Sequence, residues 1–139
     1  TKVLTVEASG IAIAVAAAAA LDTPAVFAKK HRSGNVSGDV YSARVHSFTH
    51  GTDHDILVAS EYLKPEDRVL IVDDFLANGA ALEGLLELTQ QAGATAVGCA
   101  VAIEKGFQHG GDRLRERGIR VDSLAILERM EPEIVFRSL

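Results

Sequence analysis

Apolar residues fall along this chain in two alternating patterns, short unbroken runs and helical repeats. The clearest run is Val69-Leu70-Ile71-Val72, which leads straight into Asp73-Asp74 and then a small-residue turn, Ala77-Asn78-Gly79. An unbroken apolar run of this length predicts a strand buried on both faces, as in a parallel sheet covered by helices. Past the turn, Leu82, Leu85, Leu86 and Leu88 recur at helical spacing, and Gly93 predicts the stop. On the N-terminal side, Lys2–Val6 reads as a first strand. Glu7-Ala8-Ser9-Gly10 reads as a tight loop, and residues 11–21 as an alanine-rich helix that ends before Pro24. Ala25–Ala28 follows as a strand. Residues 29–42 then form a long polar stretch with Gly34, Asn35, Gly38 and Asp39, the composition of a mobile loop. Residues 43–49 and 56–59 predict neighbouring strands paired around His50-Gly51-Thr52-Asp53. Further on, 95–103 reads as a buried strand, 104–111 as a loop and 112–117 as a short charged helix. Residues 121–127 and 134–136 read as the last strands.

Strands and helices in alternation predict an α/β fold, a central mostly parallel sheet with helices on both faces and short extra antiparallel strands. Ligands of such sheets bind outside the carboxyl ends of the strands. The loops at 7–10, 29–42, 73–79 and 104–111 all fall on that edge. They hold most of the unusual chemistry.

Composition narrows the picture. A chain of 139 residues, 47% of them hydrophobic, predicts a single domain over 1–139 with one core. The net charge of −5 argues against a general nucleic-acid-binding surface, although Lys29-Lys30-His31-Arg32 is a local exception. One cysteine, Cys99, allows no internal disulfide and is compatible with a reducing cytoplasm. The longest apolar run, 11–21, is too short and too rich in alanine to span a bilayer.

At Ala77-Asn78-Gly79-Ala80-Ala81, small residues let backbone N–H groups approach a ligand, and the helix start adds about half a positive charge. This is a phosphate cradle. Asp73 and Asp74 at its lip cannot bind phosphate, but they can accept hydrogen bonds from sugar hydroxyls or from Mg²⁺-bound water. A helix N-terminal pair favoured by the dipole is the weaker reading, because the strand leaves the two carboxylates directly beside the phosphate turn. Ser9 can be the cap of the alanine helix or a ligand hydroxyl. Lys29 and Lys30 read by themselves as a solvated surface pair. Lys105 can be a surface lysine and Phe107 a core residue, yet a Glu-Lys pair beside an aromatic and several glycines favours a site. His109 has no second histidine or cysteine at metal spacing and receives no role. Absence of Gly-Lys-Ser/Thr excludes a P-loop hydrolase. A receiver domain would need the aspartate pair on its first strand, whereas it falls mid-chain.

Asp-Asp-Phe-Leu-Ala-Asn-Gly from Asp73 to Gly79 resembles the signature of type I phosphoribosyltransferases, in the wording of their bacterial xanthine branch. Glu104-Lys105-Gly106-Phe107-Gln108-His109-Gly110 is similar to the same branch's Glu-Lys-Xaa-Phe-Gln-Xaa-Gly. The wider family has Thr where Asn78 stands and usually again where Ala81 stands. The resemblance implies an enzyme of purine salvage that uses 5-phosphoribosyl-1-diphosphate (PRPP) and a 6-oxopurine, with xanthosine 5′-monophosphate as product. It implies that Asp73, Asp74 and the turn Ala77, Asn78, Gly79, Ala80 and Ala81 bind PRPP. It places Ser9 on the pyrophosphate, Lys29 and Lys30 at the start of a closing catalytic loop, and Lys105 and Phe107 on the purine. Mg²⁺ would be held mainly through PRPP and pyrophosphate, with no direct protein ligation. A cytoplasmic homodimer without nucleic-acid or membrane partners completes the implication. The family's purine hood precedes the first strand in the xanthine branch, and this sequence starts where that segment would end, so the hood is expected to be absent here and base selection to rest on Lys105. Ala77 stands where hypoxanthine-guanine relatives carry a carboxylate. A PRPP-sensing regulator of the same fold and a phosphoribosyltransferase for guanine or hypoxanthine are the rival readings; retention of Lys29-Lys30 and Glu7-Ala8-Ser9-Gly10 favours catalysis over the first.

Overall fold

The computed structural model describes residues 1–31, 38–47 and 52–137. Its strands and helices are β1 (Lys2–Val6), α1 (Gly10–Ala20), β2 (Ala25–Ala28), β3 (Val40–Ser47), β4 (Thr52–Ala59) and β5 (Arg68–Leu76). They continue with α2 (Ala80–Gln91), β6 (Thr95–Lys105), a 3-10 turn (Gly106–Gln108), α3 (Gly110–Glu116), β7 (Val121–Arg129) and β8 (Val135–Phe136). The main sheet runs β2-β1-β5-β6-β7-β8. It is parallel from β2 through β7, and β8 closes the edge antiparallel. β3 and β4 form a separate antiparallel hairpin with His46 opposite Asp53. This is the α/β arrangement that the alternation predicts.

Side chains one residue apart on a strand face opposite ways, and here they feed two cores. Leu4, Val69 and Ile71 join Leu82, Leu85 and Leu88 of α2 in the larger core, together with Val45 and Ile56 of the hairpin. Val3 and Val72, the intervening residues, meet Ala14 and Ala18 of α1 in the smaller one. The alanine-rich helix thus covers one face and α2 the other. Close approach of the hairpin to α2 requires Gly84, where an added Cβ would stand 2.6 Å from Val45 and 3.0 Å from Ile56.

Several boundaries differ from expectation. β4 begins at Thr52, four residues before the expected 56, because it pairs with β3 as far as Ser47, and α3 begins at Gly110 rather than at 112. β5 runs through Asp73, Asp74 and Phe75 to Leu76 because β6 is long enough to pair with it, Asp73 beside Val101 and Leu76 beside Glu104. The carboxylates therefore sit within a strand, not in the turn after it. Glu104 and Lys105 likewise belong to β6, paired with Ile126 and Leu127, so the loop expected from 104 starts at Gly106. The polar stretch expected to reach Ser42 ends earlier, since β3 begins at Val40 and pairs there with Ala59. The mobile loop read at 29–42 falls in part on 32–37, outside the described residues.

Candidate active site

At the carboxyl ends of β1, β5 and β6 lies a cavity of about 440 Å³, and the β3–β4 hairpin forms its remaining wall. Asp73, Asp74, Ala77, Asn78, Ala80 and Ala81 line one side, Glu7, Ser9 and Lys30 a second, and Lys105 and Gln108 a third. Val45, His46, His54 and Ile56 come from the hairpin. One site thus gathers residues from Glu7 to Gln108, as expected of this sheet edge.

The two carboxylates are unequal. Asp73 is only 5% exposed, and its Oδ1 accepts the Asp74 backbone N–H at 2.9 Å. Burial, reinforced by the neighbouring Asp74 carboxyl, raises its pKa to about 7. Gly10, the first residue of α1, lies against it: a Cβ there would stand 2.2 Å from the Thr5 hydroxyl and 3.0 Å from Asp73 Oδ1. Asp74 is the half-buried partner, and it faces the cavity as well.

The turn after β5 is built as a cradle. Gly79 has φ +93°, a left-handed conformation that favours glycine, and α2 starts at the next residue. The Asn78 side-chain oxygen accepts the Ala80 N–H at 3.0 Å. Behind the turn, Gly110 touches the chain so closely that an added Cβ would stand 2.3 Å from the Ala77 carbonyl oxygen. Arg113 of α3 donates to the Asn78 carbonyl at 2.7 Å and to the Gln108 carbonyl at 3.4 Å, which fixes the cradle from outside. Ser9 makes no side-chain capping bond to α1, and it lines the cavity.

The lysine pair is divided. Lys30 lines the cavity, and its backbone N–H donates to Glu7 Oε1 at 2.7 Å, which ties two loops of the site together. Lys29 exchanges backbone hydrogen bonds with Leu57 at 2.8 and 2.9 Å and lines a separate hollow with Phe27 and Tyr62. Bridging to β4 holds the chain extended here, so adjacent side chains point to opposite sides.

On the third side, Lys105 lines the cavity with its ammonium 5.4 Å from the centroid of the Phe75 ring. Phe107 is on the 3-10 turn, 41% exposed, and is not among the lining residues. Glu104, next to Lys105, is fully buried on the opposite face of β6. Arg115 grips both its oxygens, at 2.9 and 2.6 Å, and the Ser123 hydroxyl donates at 2.5 Å. Burial would raise this carboxyl, but the bonds from Arg115 and Ser123 outweigh burial and hold it below the usual glutamate range. Gly111 makes room for the pair, since a Cβ there would stand 2.1 Å from Glu104 Oε1.

The histidines of the hairpin are the main addition to the residues read from sequence. His46 Nδ1 meets Asp53 Oδ1 at 2.6 Å. Burial, with Lys30 and His31 nearby, holds the His54 imidazole below the ordinary histidine range. Among the described residues no group of three or more His, Cys, Asp and Glu is placed to hold a metal. Two adjacent carboxylates, Asp73 and Asp74, on the wall of this cavity do fit a magnesium ion, which keeps several waters and is bound by one or two carboxylates together with substrate phosphates.

A model of the phosphoribosyl transferase domain matches residues 1–125. The xanthine phosphoribosyltransferase of Lachnoclostridium phytofermentans is 51% identical over 99% of this chain and 72% of its own length. That of Moorella thermoacetica is 58% identical over 89% of this chain and 63% of its own length. Among solved structures, the APRTase of Giardia lamblia complexed with 9-deazaadenine superposes with a TM-score of 0.81 at 28% identity, covering 93% of this chain and 70% of that one. The adenine phosphoribosyltransferase of Rhodothermus marinus gives a TM-score of 0.79 at 30% identity, covering 91% and 69%.

Proposed function

The chain belongs to the phosphoribosyltransferase family, and from that premise we propose that it transfers the phosphoribosyl group of PRPP to xanthine. The products are xanthosine 5′-monophosphate and pyrophosphate. One observation carries the assignment: the small-residue turn of Ala77, Asn78, Ala80 and Ala81, the carboxylate pair Asp73 and Asp74, and Lys105 line one cavity. A sugar phosphate with a base beside it is the ligand that uses all three.

A purine nitrogen attacks the anomeric carbon as pyrophosphate departs, through a transition state with positive charge on the sugar and negative charge on the leaving group. The protein's work is positioning and electrostatics. Backbone N–H groups from Ala77 to Ala81, with the start of α2 behind them, hold the 5′-phosphate. Asp74 accepts hydrogen bonds from the ribose hydroxyls. Asp73, whose carboxyl burial pushes up to about 7, lies beside Asp74 at the same sugar edge. Ser9 and Lys30 face the pyrophosphate, and Lys30 neutralises its growing charge. Lys105 donates to the oxo group of the base. Magnesium, when bound on the pyrophosphate, would be held through its waters by Asp73 and Asp74 and would spread the leaving group's charge.

The enzyme works in the cytoplasm as a homodimer and needs neither nucleic acid nor membrane. Among the described residues no helix is long and apolar enough to cross a bilayer. Light scattering on the purified protein tests the dimer. A base panel tests the substrate: xanthine, guanine, hypoxanthine and adenine are offered side by side with PRPP and Mg²⁺. An ammonium aimed at an oxo group costs adenine, which lacks that acceptor, about 2–4 kcal/mol, or tens to hundreds in kcat/KM. Equal use of adenine and xanthine would remove Lys105 from the base site.

A further inference from the structure

Lys105 has a long flexible stem, and a specificity contact needs its ammonium held in place. The structure supplies a holder that the reading of the sequence did not assign. Phe75 pairs with Ile103 across β5 and β6, and Ile103 shares a face with Lys105 two residues on. In such a register the diagonal neighbours are within reach when one is aromatic and the other long. Here they meet, with Nζ 5.4 Å from the ring centroid. Glu104, the carboxylate adjacent in sequence, is taken up by Arg115 on the other face of the strand. Among the described residues no carboxylate pairs with the Lys105 ammonium, so its N–H groups are left to a ligand. Phe75 itself is 46% exposed although it lies in a central strand of the sheet.

We propose that Phe75 is a positioning residue for base recognition: its ring face holds the Lys105 ammonium at the mouth of the purine subsite. The proposal rests on the reading of Lys105 as the donor to the purine oxo group. A cation over an aromatic face is attracted by the ring's quadrupole, and the attraction leaves the lysine's donors free, as a salt bridge would not.

Two measurements on the full chain test this and separate it from the reading beneath it. The first is the NMR shift of the Lys105 ε-methylene protons, moved upfield by the ring current. Phe75→Leu abolishes that displacement and Phe75→Trp keeps it. The second is kinetic. Phe75→Leu lowers kcat/KM for xanthine about two- to fivefold, the value of a partly exposed cation–π contact, and leaves KM for PRPP unchanged. Phe75→Trp restores the rate, and in a Lys105→Ala background Phe75→Leu has no further effect. No ring-current displacement in the unaltered protein overturns the clamp even if Lys105→Ala still abolishes base selectivity. A displacement with no effect of Lys105→Ala on base selectivity overturns the reading of Lys105 and with it the role of Phe75. Equal losses from Phe75→Leu in the presence and absence of Lys105 show a packing role only and also overturn the proposal.

Discussion

Arg115→Met leaves a carboxylate stranded in the protein interior, and its consequence can be worked from the geometry. Glu104 has no solvent exposure and takes three side-chain hydrogen bonds, two of them from Arg115. Removing one partner of a buried ion pair typically costs about 3–5 kcal/mol, because the remaining charge has neither water nor counter-ion. The Arg115 side chain is 32% exposed, so water reaches the vacated place, and the lower end, about 3 kcal/mol, applies. For a chain of this length that corresponds to a fall in Tm of about 10 °C. The pH dependence gives the signature. In the unaltered protein Glu104 lies below its usual range, so its share of stability is present above the ordinary glutamate pKa and is lost as pH falls through the lowered value. Without Arg115, only the Ser123 hydroxyl opposes burial, the largest influence on this carboxyl, and the folded pKa rises. The protonated form then fits better, and the deficit shrinks as pH falls from neutrality towards the usual glutamate range. Adding Glu104→Gln removes the charge and recovers most of the loss. Thermal unfolding of both variants between pH 5 and pH 8 is the assay. A deficit below about 1 kcal/mol, or one independent of pH, would refute the reasoning.

Asp73→Asn cuts turnover at least tenfold, on the order of one charged hydrogen bond to the ribose. It also stabilises the free protein: the raised folded pKa makes the unaltered chain lose stability from the ordinary carboxylate range up to about pH 7, and asparagine removes that loss. Unfolding curves at pH 5 and pH 8 check the sign. Lys30→Ala lowers kcat by up to about a hundredfold through loss of a charge-assisted bond of ~1.5–3 kcal/mol, while Lys29→Ala, outside the cavity, changes it little. Comparable losses in both would contradict the division of the pair. Gly110→Ala drives a Cβ to 2.3 Å from the Ala77 carbonyl oxygen, so the cradle shifts and KM for PRPP rises more than tenfold, measured against an unchanged KM for the base.

Patterns along the chain determined most of the fold. Val69 to Val72 and the leucines after Gly79 each satisfy one periodicity only, so strand, turn and helix are legible in the sequence. Misplaced boundaries had a common cause. Asp73-Asp74 and Glu104-Lys105 look like loop residues by composition, but each lies where a neighbouring strand supplies hydrogen bonds, and a ladder's length is a property of two segments together. The same limit hid the hairpin's part in the site. Val45, His46, His54 and Ile56 belong to a segment that folds back over the sheet edge, and nothing in their spacing marks that contact. Lys29 and Lys30 were inseparable as a charge pair until the bridge to Leu57 fixed which one faces inward. Lys105 was legible from its motif, whereas Phe75 lies in a run whose apolar character already had an explanation in the strand.

Transfer from PRPP to xanthine is tested most directly by following both products of a single reaction. The protein is mixed with PRPP, xanthine and Mg²⁺, and xanthosine 5′-monophosphate and pyrophosphate are quantified together by ion-exchange chromatography. Equal molar amounts of the two, rising with enzyme concentration and abolished by the double substitution Asp73→Asn and Asp74→Asn, are the predicted result. Pyrophosphate without nucleotide, or PRPP bound and never consumed with any base, would contradict it.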